Sequence, residues 1–324
     1  MARGKDLLAV LAAVFVVAAF SSCGKGPEGE GPQSKGPASA GANDKIELRL
    51  RLEPGKAYKL RMTAAQTITQ TMGGAKQEMA QTVGFQLKHD VQEVGDDGTA
   101  VIQVTYDSVQ YKVDGPIAQI DYDSSNPPPA DALHPMVKGF AALVGESFWM
   151  DLTPQGQPTR IEGADQLVAR VAEKTDPMLE NQLKQQFGDQ ALKEMMEQMM
   201  GIYPDQPVAV GDSWSKKMVI TKGLPMVMNN TWTLKSRQDG VAFIDVQSNL
   251  EPNPDAPALR MGPAKVKQQL SGTQQGSIEM DEATGWVLRS TVDQELSGDL
   301  AVEGGPQAMT IPMSVESQIR VEGQ

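Results

Sequence analysis

From Lys45 onward, apolar side chains fall at every second position over most of the chain. In IELRLRL (46–52), Ile46, Leu48, Leu50 and Leu52 alternate with charges, and a turn follows at Pro54-Gly55. AYKLRMTAAQTITQTM runs from there to a second turn at Gly73-Gly74. QTVGFQLKHDVQEV alternates Val83, Phe85 and Leu87 with polar residues. GDDGT makes a third turn, and TAVIQVTY alternates Ala100, Ile102, Val104 and Tyr106. Alternation closed by Gly-rich turns predicts an antiparallel meander with one solvated face. After Asp107 the apolar phase moves to Val109, Tyr111 and Val113, which predicts a bulge or bend.

The loop DSSNPPPADA (123–132) interrupts the alternation. Pro135 suits the first position of a short helix through Val144. GESFWMDLTPQGQPTRIEG (145–163) reads as a hairpin with Phe148, Met150 and Leu152 on one face. Residues 164 to 201 read as helical, with Asp176-Pro177 and Asp189 as helix starts. The last piece places Leu192, Met195, Met196, Met199 and Met200 on one side, and Pro204 stops it. Strands resume at Asp212 and continue to Val321. The expected fold is therefore β-rich α+β: a first antiparallel β unit at 45–163, a central helical segment at 164–203 and a second antiparallel β unit at 204–324, with curved meander sheets.

The two β units resemble each other in order. GKAYKLRM (55–62) parallels GDSWSKKM (211–218), DGTAVIQV (97–104) parallels DGVAFIDV (239–246), and FWMDLTPQGQPTR (148–160) parallels IEMDEATGWVLR (278–289). Collinear matches suit a duplicated unit; two generic meanders built on the same turn chemistry would look alike too. The motifs GKAYKLRM, DGTAVIQVTYDSV, GESFWMDLTPQGQPTRIEG and AVGDSW also resemble an uncharacterised domain family of exported bacterial lipoproteins, over most of residues 46 to 322. The resemblance implies the β-rich fold and no particular activity.

The amino terminus has a different pattern. Arg3 and Lys5 precede LLAVLAAVFVVAAF (Leu7 to Phe20), a run of 14 residues without a polar side chain. That is too short to cross a hydrocarbon core, which needs about 20 residues, and it reads as a secretory signal. Ser21, Ser22 and Cys23 follow, and Cys23 is the one cysteine of the chain. The stretch resembles a bacterial lipobox, with Phe20 where Leu is usual. The resemblance implies a signal peptide over 1–22, cleaved before an acylated Cys23. The other reading is an ordinary cleaved signal followed by a stray thiol. Gly24 after the cysteine, rather than Asp, implies the outer membrane. Residues 24–44 contain no Val, Ile, Leu, Met or aromatic residue, so 23–44 is expected to be an acylated, disordered tether with an r.m.s. span of roughly 25 Å.

Net charge is −12, which disfavours nucleic acid as a partner. The two histidines, His89 and His134, show no metal-ligand spacing. Asp96-Asp97 and Asp121/Asp123 are turn residues, and no nucleophile elbow, P-loop or dinucleotide fingerprint is present. No catalytic residue, metal or cofactor is expected. The four tryptophans are expected in the core. Among 18 methionines, Met195, Met196, Met199 and Met200 suit a core face, an adaptable apolar surface or, less naturally, a Cu(I) site. The expectation is a non-enzymatic lipoprotein of the cell envelope, anchored to the outer membrane through Cys23 and facing the periplasm. It either holds an apolar ligand between sheet and Met-rich helix, or serves as a structural or interaction lipoprotein with a filled core.

Overall fold

A computed structural model of the chain describes residues 44–72, 74–116, 118–174, 201–220, 225–256, 258–261, 264–303 and 308–324, together with 184, 187–190, 192, 193 and 196. The expected signal peptide, Cys23, the tether up to residue 43, and Asp176-Pro177 lie outside the described residues.

The alternating segments form one antiparallel sheet of 13 strands. The first half contains β1 (Ala57–Met72), β2 (Ala75–Val94), β3 (Ala100–Asp114), β4 (Gln119–Asp123), β5 (Ser147–Leu152) and β6 (Pro158–Glu162). The second half contains β7 (Ser213–Ile220), β8 (Met226–Gln238), β9 (Val241–Pro252), β10 (Leu259–Met261), β11 (Ala264–Asp281), β12 (Val287–Glu303) and β13 (Met309–Gly323). The order across the sheet is β6-β5-β3-β2-β1-β13-β12-β11-β9-β8-β7, with β4 paired to β3 and β10 to β11. The described helices are short: α1 (Pro135–Leu143) and α2 (Ala164–Lys174), with a 3-10 turn at Ala130–Ala132. The chain is thus β-rich, and the two expected β units are halves of a single sheet joined through β13.

Both halves have the same order. Strands β1, β2, β3, β5 and β6 stand side by side in the first, and β7, β8, β9, β11 and β12 in the second. The turn glycines of the three sequence matches also agree: Gly55 and Gly211 have φ of 78° and 94°, Gly98 and Gly240 of 81° and 79°, Gly156 and Gly285 of 72° and 70°. The phase change after Asp107 is a bulge, since Gln86 faces Ser108 while Leu87 faces Tyr106. The extra residue restores the inward phase, and Val109, Tyr111 and Val113 are buried, the last two beneath α1. Tyr111 stacks on Phe140 of α1 with ring centroids 4.6 Å apart.

IELRLRL is not the first strand. Leu48, Leu50 and Leu52 are buried as the alternation requires, but only Ile46 makes a β-bridge, to Val208. Alternation reports burial, not the identity of the backbone partner. Leu50 N donates to Pro154 O and Arg51 N to Thr284 O, both at 2.8 Å, so this segment crosses the end of the sheet. Pro154 belongs to the β5–β6 turn and Thr284 to the β11–β12 turn. In a flat sheet β5 and β12, five spacings apart, would be separated by roughly 24 Å. Consecutive N–H groups reach both turns, so the sheet is strongly curled at this end.

Inside the curl, Leu48, Leu50 and Leu52 join Ile102, Phe148 and Met150 from one half and Trp232, Leu234, Ile244 and Ile278 from the other in a single core. Leu192, Met196, Ile202 and Tyr203 complete it. Tyr203 Oη donates to Gly285 O at 2.9 Å, and Trp214 Nε1 to Ile202 O at 2.8 Å. Arg237 grips Glu282 with two hydrogen bonds of 2.8 Å and donates to Asp44 O at 3.3 Å. This end is therefore closed. Toward the other end, Met226, Met228, Leu270, Leu296, Leu300 and Ile311 form a second core on the inner face.

Two glycines let β11 and β12 bend. A Cβ at Gly272 would lie 1.8 Å from Glu295 O, and one at Gly298, 2.0 Å from Gln269 O. No side chain fits where the backbones approach so closely.

Candidate functional site

Alternation along the long strands sends one set of side chains inward, and on seven strands a polar member of that set falls at the same level. These are Gln66 (β1), Gln81 (β2), Asn230 (β8), Ser248 (β9), Gln274 (β11), Gln294 (β12) and Ser317 (β13). The register places them in one line across the sheet. Gln81 faces Gln66, Gln66 faces Ser317, and Ser317 faces Gln294. Gln294 then faces Gln274, Gln274 faces Ser248, and Ser248 faces Asn230. Lys216 of β7 stands opposite Asn230 and extends the row. The neighbouring row toward the closed end has no polar side chain, with Val83, Ala64, Ile319, Val292, Gly276, Val246 and Trp232 in register. The same holds of the row on the opposite side of the stripe, with Met79, Ile68, Val315, Leu296, Gly272, Leu250 and Met228. A polar stripe crosses an apolar interior, and each of its seven inward residues on the long strands is less than 10% exposed.

The flanks of the stripe are hydrogen-bonded internally. Gln66 Nε2 donates to Gln81 Oε1 at 3.0 Å, and Gln81 Nε2 to Tyr111 Oη at 3.4 Å. On the other flank the Ser248 hydroxyl donates to Asn230 Oδ1, and Asn230 Nδ2 lies 3.1 Å from Met218 Sδ. The middle differs. Both amide atoms of Gln274, the Nε2 of Gln294 and the Oγ of Ser317 are buried without a protein partner. Each such atom costs about 1–3 kcal/mol unless a ligand or water supplies the missing bond. Unpartnered buried atoms occur elsewhere too, at His89 Nδ1, Trp232 Nε1, Trp286 Nε1, Ser290 Oγ, Gln77 Oε1 and Gln268 Oε1; in the stripe they fall in one row on three adjacent strands.

The seven inward residues of the stripe on the long strands are uncharged. The one charged member of the row, Lys216, sits at the β7 edge, 3.5 Å from Asp205 Oδ1. His89 lies elsewhere, against Trp286 at the closed end, with ring centroids 5.3 Å apart. Burial lowers its imidazole to about 4, against weaker opposing effects of a hydrogen bond with the Tyr58 backbone and the Asp90 charge. It is therefore neutral at ordinary pH.

Of the residues singled out from sequence, Cys23, Met195, Met199 and Met200 lie outside the described residues. Met196 is buried beside Leu192 in the closed-end core. Met226 and Met228 are buried in the second core. Among the described residues no group of three or more His, Cys, Asp or Glu side chains could hold a metal ion. Trp232 and Trp286 are core residues and Trp214 is partly buried, but Trp149 is 39% exposed. It falls between Phe148 and Met150, in the outward phase of β5. The polar stripe is absent from the sequence reading. Its trace there is a Gln, Ser or Asn at one level in the apolar phase of each strand, and only the register joins these into a line.

A family model described as a family of unknown function, DUF6263, matches residues 97–287, more than half of the chain. The chain belongs to this family. The DUF6263 match runs from the β2–β3 turn to the start of β12, so it includes Gln274 but ends before Gln294 and Ser317. Among curated proteins, none matches the chain. Among solved structures, one of lipovitellin concerned with lipid–protein interactions gives a TM-score of 0.48 at 10% identity, over 84% of this chain and 25% of that one. This DUF6263 chain thus spans a quarter of the lipovitellin chain. DynF from the dynemicin biosynthesis pathway of Micromonospora chersina gives 0.18 at 7% identity, over 90% and 92% of the two chains. An outer membrane channel from Pseudomonas putida F1 gives 0.23 at 9% identity, over 85% and 97%. Likenesses at this level transfer neither ligand nor activity.

Proposed function

We propose that the protein is a non-enzymatic binding module of the bacterial envelope, which holds an apolar ligand against the inner face of its curled sheet. The observation that carries this reading is the set of buried, unpartnered polar atoms of Gln274, Gln294 and Ser317 between two apolar rows. A filled core gains nothing from such atoms, whereas a ligand that satisfies them recovers their cost. The stripe offers amides and hydroxyls rather than an activated nucleophile or a poised acid–base pair, which supports binding over catalysis.

Acylation at Cys23 would hold the module on the periplasmic side of the outer membrane, with 23–44 as its tether. The outer face of the sheet supports a place beside the bilayer rather than in it. Lys59, Arg61, Glu295, Glu316 and Arg320 point outward and are exposed, whereas a membrane-spanning barrel is apolar outside. The shared strand order and turn glycines support a duplicated unit. The rival reading, a structural lipoprotein with a filled core, is favoured by the burial of Met196, Met226 and Met228.

The test uses whole protein stripped of lipid. Uptake of an apolar fluorescent dye at micromolar protein is expected, and its absence sinks the binding reading in favour of the filled core. Separately, Cys23→Ser is expected to abolish incorporation of labelled fatty acid and release the protein from membranes. Retention in the membrane fraction would overturn the anchor.

A further inference from the structure

We infer that the ligand is a long-chain molecule with a neutral secondary amide in its middle, seated on Gln274, Gln294 and Ser317. This rests on the reading of the inner face as a ligand site. Three observations set the chemistry.

The first is the count of open groups. Gln274 Nε2, Gln294 Nε2 and the Ser317 hydroxyl can donate, and Gln274 Oε1 can only accept. The partner must therefore both accept and donate. An amide does so within two bonded atoms: its carbonyl oxygen takes N–H and O–H donors while its N–H bonds Gln274 Oε1. An ester has the acceptor and lacks the donor. Strands β11, β12 and β13 are adjacent, so the three side chains span roughly 10 Å, a width that one amide and its neighbouring methylenes fill.

The second is charge. A carboxylate, phosphate or ammonium group placed here would lose its water and meet only neutral amides and a hydroxyl, at a large desolvation cost. The cation Lys216 stands on β7, three strands from β11, and already pairs with Asp205.

The third is the position of the polar line. Val292, Gly276 and Val246 border it on one side, and Leu296, Gly272 and Leu250 on the other. A terminal head group would place its polar end beside apolar side chains on one flank only. Here both flanks are apolar, so hydrocarbon continues in both directions from the amide. The bonded pairs Gln66–Gln81 and Ser248–Asn230 on either flank hold the stripe in place, which preorganises the open middle.

The whole mature chain carrying Cys23→Ser, loaded with an apolar fluorescent dye, tests this by displacement. The competitors are a long-chain N-alkyl acyl amide, the ester of the same two chains, and the free fatty acid at alkaline pH. The amide is expected to displace dye about tenfold better than the ester, the worth of one net hydrogen bond, and the ionised acid not at all. Gln274→Met and Gln294→Met keep side-chain volume and remove the open polar atoms. Gln274→Met is expected to erase the preference for amide, and Gln294→Met to weaken amide and ester alike, both leaving the melting temperature unchanged or raised. Dye uptake without a preference for amide, or a preference that survives Gln274→Met, overturns the amide and leaves the binding module standing. No dye uptake by the parent chain overturns both. Variants that melt higher while all three competitors act as on the parent mean ordered water alone fills the stripe, which also overturns the proposal. The preference measured on the parent chain decides the matter even if a variant fails to fold.

Discussion

Asp165 and Asp189 cap each other: Asp189 Oδ1 accepts the backbone N–H of Ala164 at 2.8 Å and of Asp165 at 3.3 Å, and Asp165 Oδ1 accepts the N–H of Asp189 at 3.1 Å. The residue expected from sequence to start its own helix thus also satisfies the first turn of α2, 25 residues earlier in the chain. Asp189→Ala is expected to cost about 1–2 kcal/mol in denaturant unfolding, and Asp189→Asn, which keeps an acceptor oxygen, less. Because the two carboxylates act as one device, the double Ala variant should lose less than the sum of the single variants. Strict additivity would show that the two caps are independent.

His89 makes stability depend on pH. Its folded pKa of about 4 lies below the unfolded value near 6.5, so the unfolded chain binds the extra proton first. The stabilising contribution is fully present above about pH 6.5 and falls as pH drops toward 4, then levels off. The loss is on the order of 3 kcal/mol. His89→Phe keeps an aromatic ring against Trp286 and should flatten the stability–pH curve in that window. An unchanged slope would place the titration elsewhere.

Two glycine substitutions should act in opposite directions. A methyl added at Gly139, within α1, would meet nothing within 4 Å beyond its own helix, so Gly139→Ala should stabilise by about 0.5–1 kcal/mol. Gly272→Ala forces a methyl into the Glu295 carbonyl and should cost several kcal/mol or prevent folding. Thermal melts of both variants, compared with the parent, check the pair, and a mild effect at Gly272 would mean that β11 and β12 can part there.

Arg237 ties the amino-terminal segment to the closed end through Glu282 and Asp44 O. Both side chains of the ion pair are less than 20% exposed. Arg237→Ala should cost about 1–3 kcal/mol, as expected for charged hydrogen bonds away from bulk water, and should speed hydrogen exchange at residues 46–52. Lys56→Ala, which removes the exposed pair with Glu53, should leave stability unchanged within error. Similar losses from both variants would argue against burial as the source of the difference.

Much of the strand content was legible because alternation directly reports which side chains are buried. The bulge after Asp107 was readable from a change of phase, and α1 from Pro135 and the apolar run behind it. Pairing was less accessible. Nothing local in AYKLRMTAAQTITQTM says that β1 lies beside β13, at the other end of the chain. For the same reason IELRLRL resembles a strand: Leu48, Leu50 and Leu52 are buried in alternation, yet their backbone crosses the strands. The candidate site was hidden one step deeper. Gln66, Gln274 and Gln294 look like scattered exceptions within apolar phases, no different from Gln268 or Ser290. They become a stripe only once long-range register sets them side by side.

The course of residues 44–52 has a mechanical consequence. A pull on the amino terminus would enter at Asp44, pass the Arg237–Glu282 clasp and reach Leu48, Leu50 and Leu52 inside the curl. From there the load is shared between the β5–β6 and β11–β12 turns through the hydrogen bonds of Leu50 and Arg51. Neither edge strand, β6 nor β7, lies at the head of that path. Tension would have to draw three leucines out of the core, across the strand direction, before any ladder could unzip. The terminus nearest the expected anchor is thus the one fastened to both halves of the sheet at once.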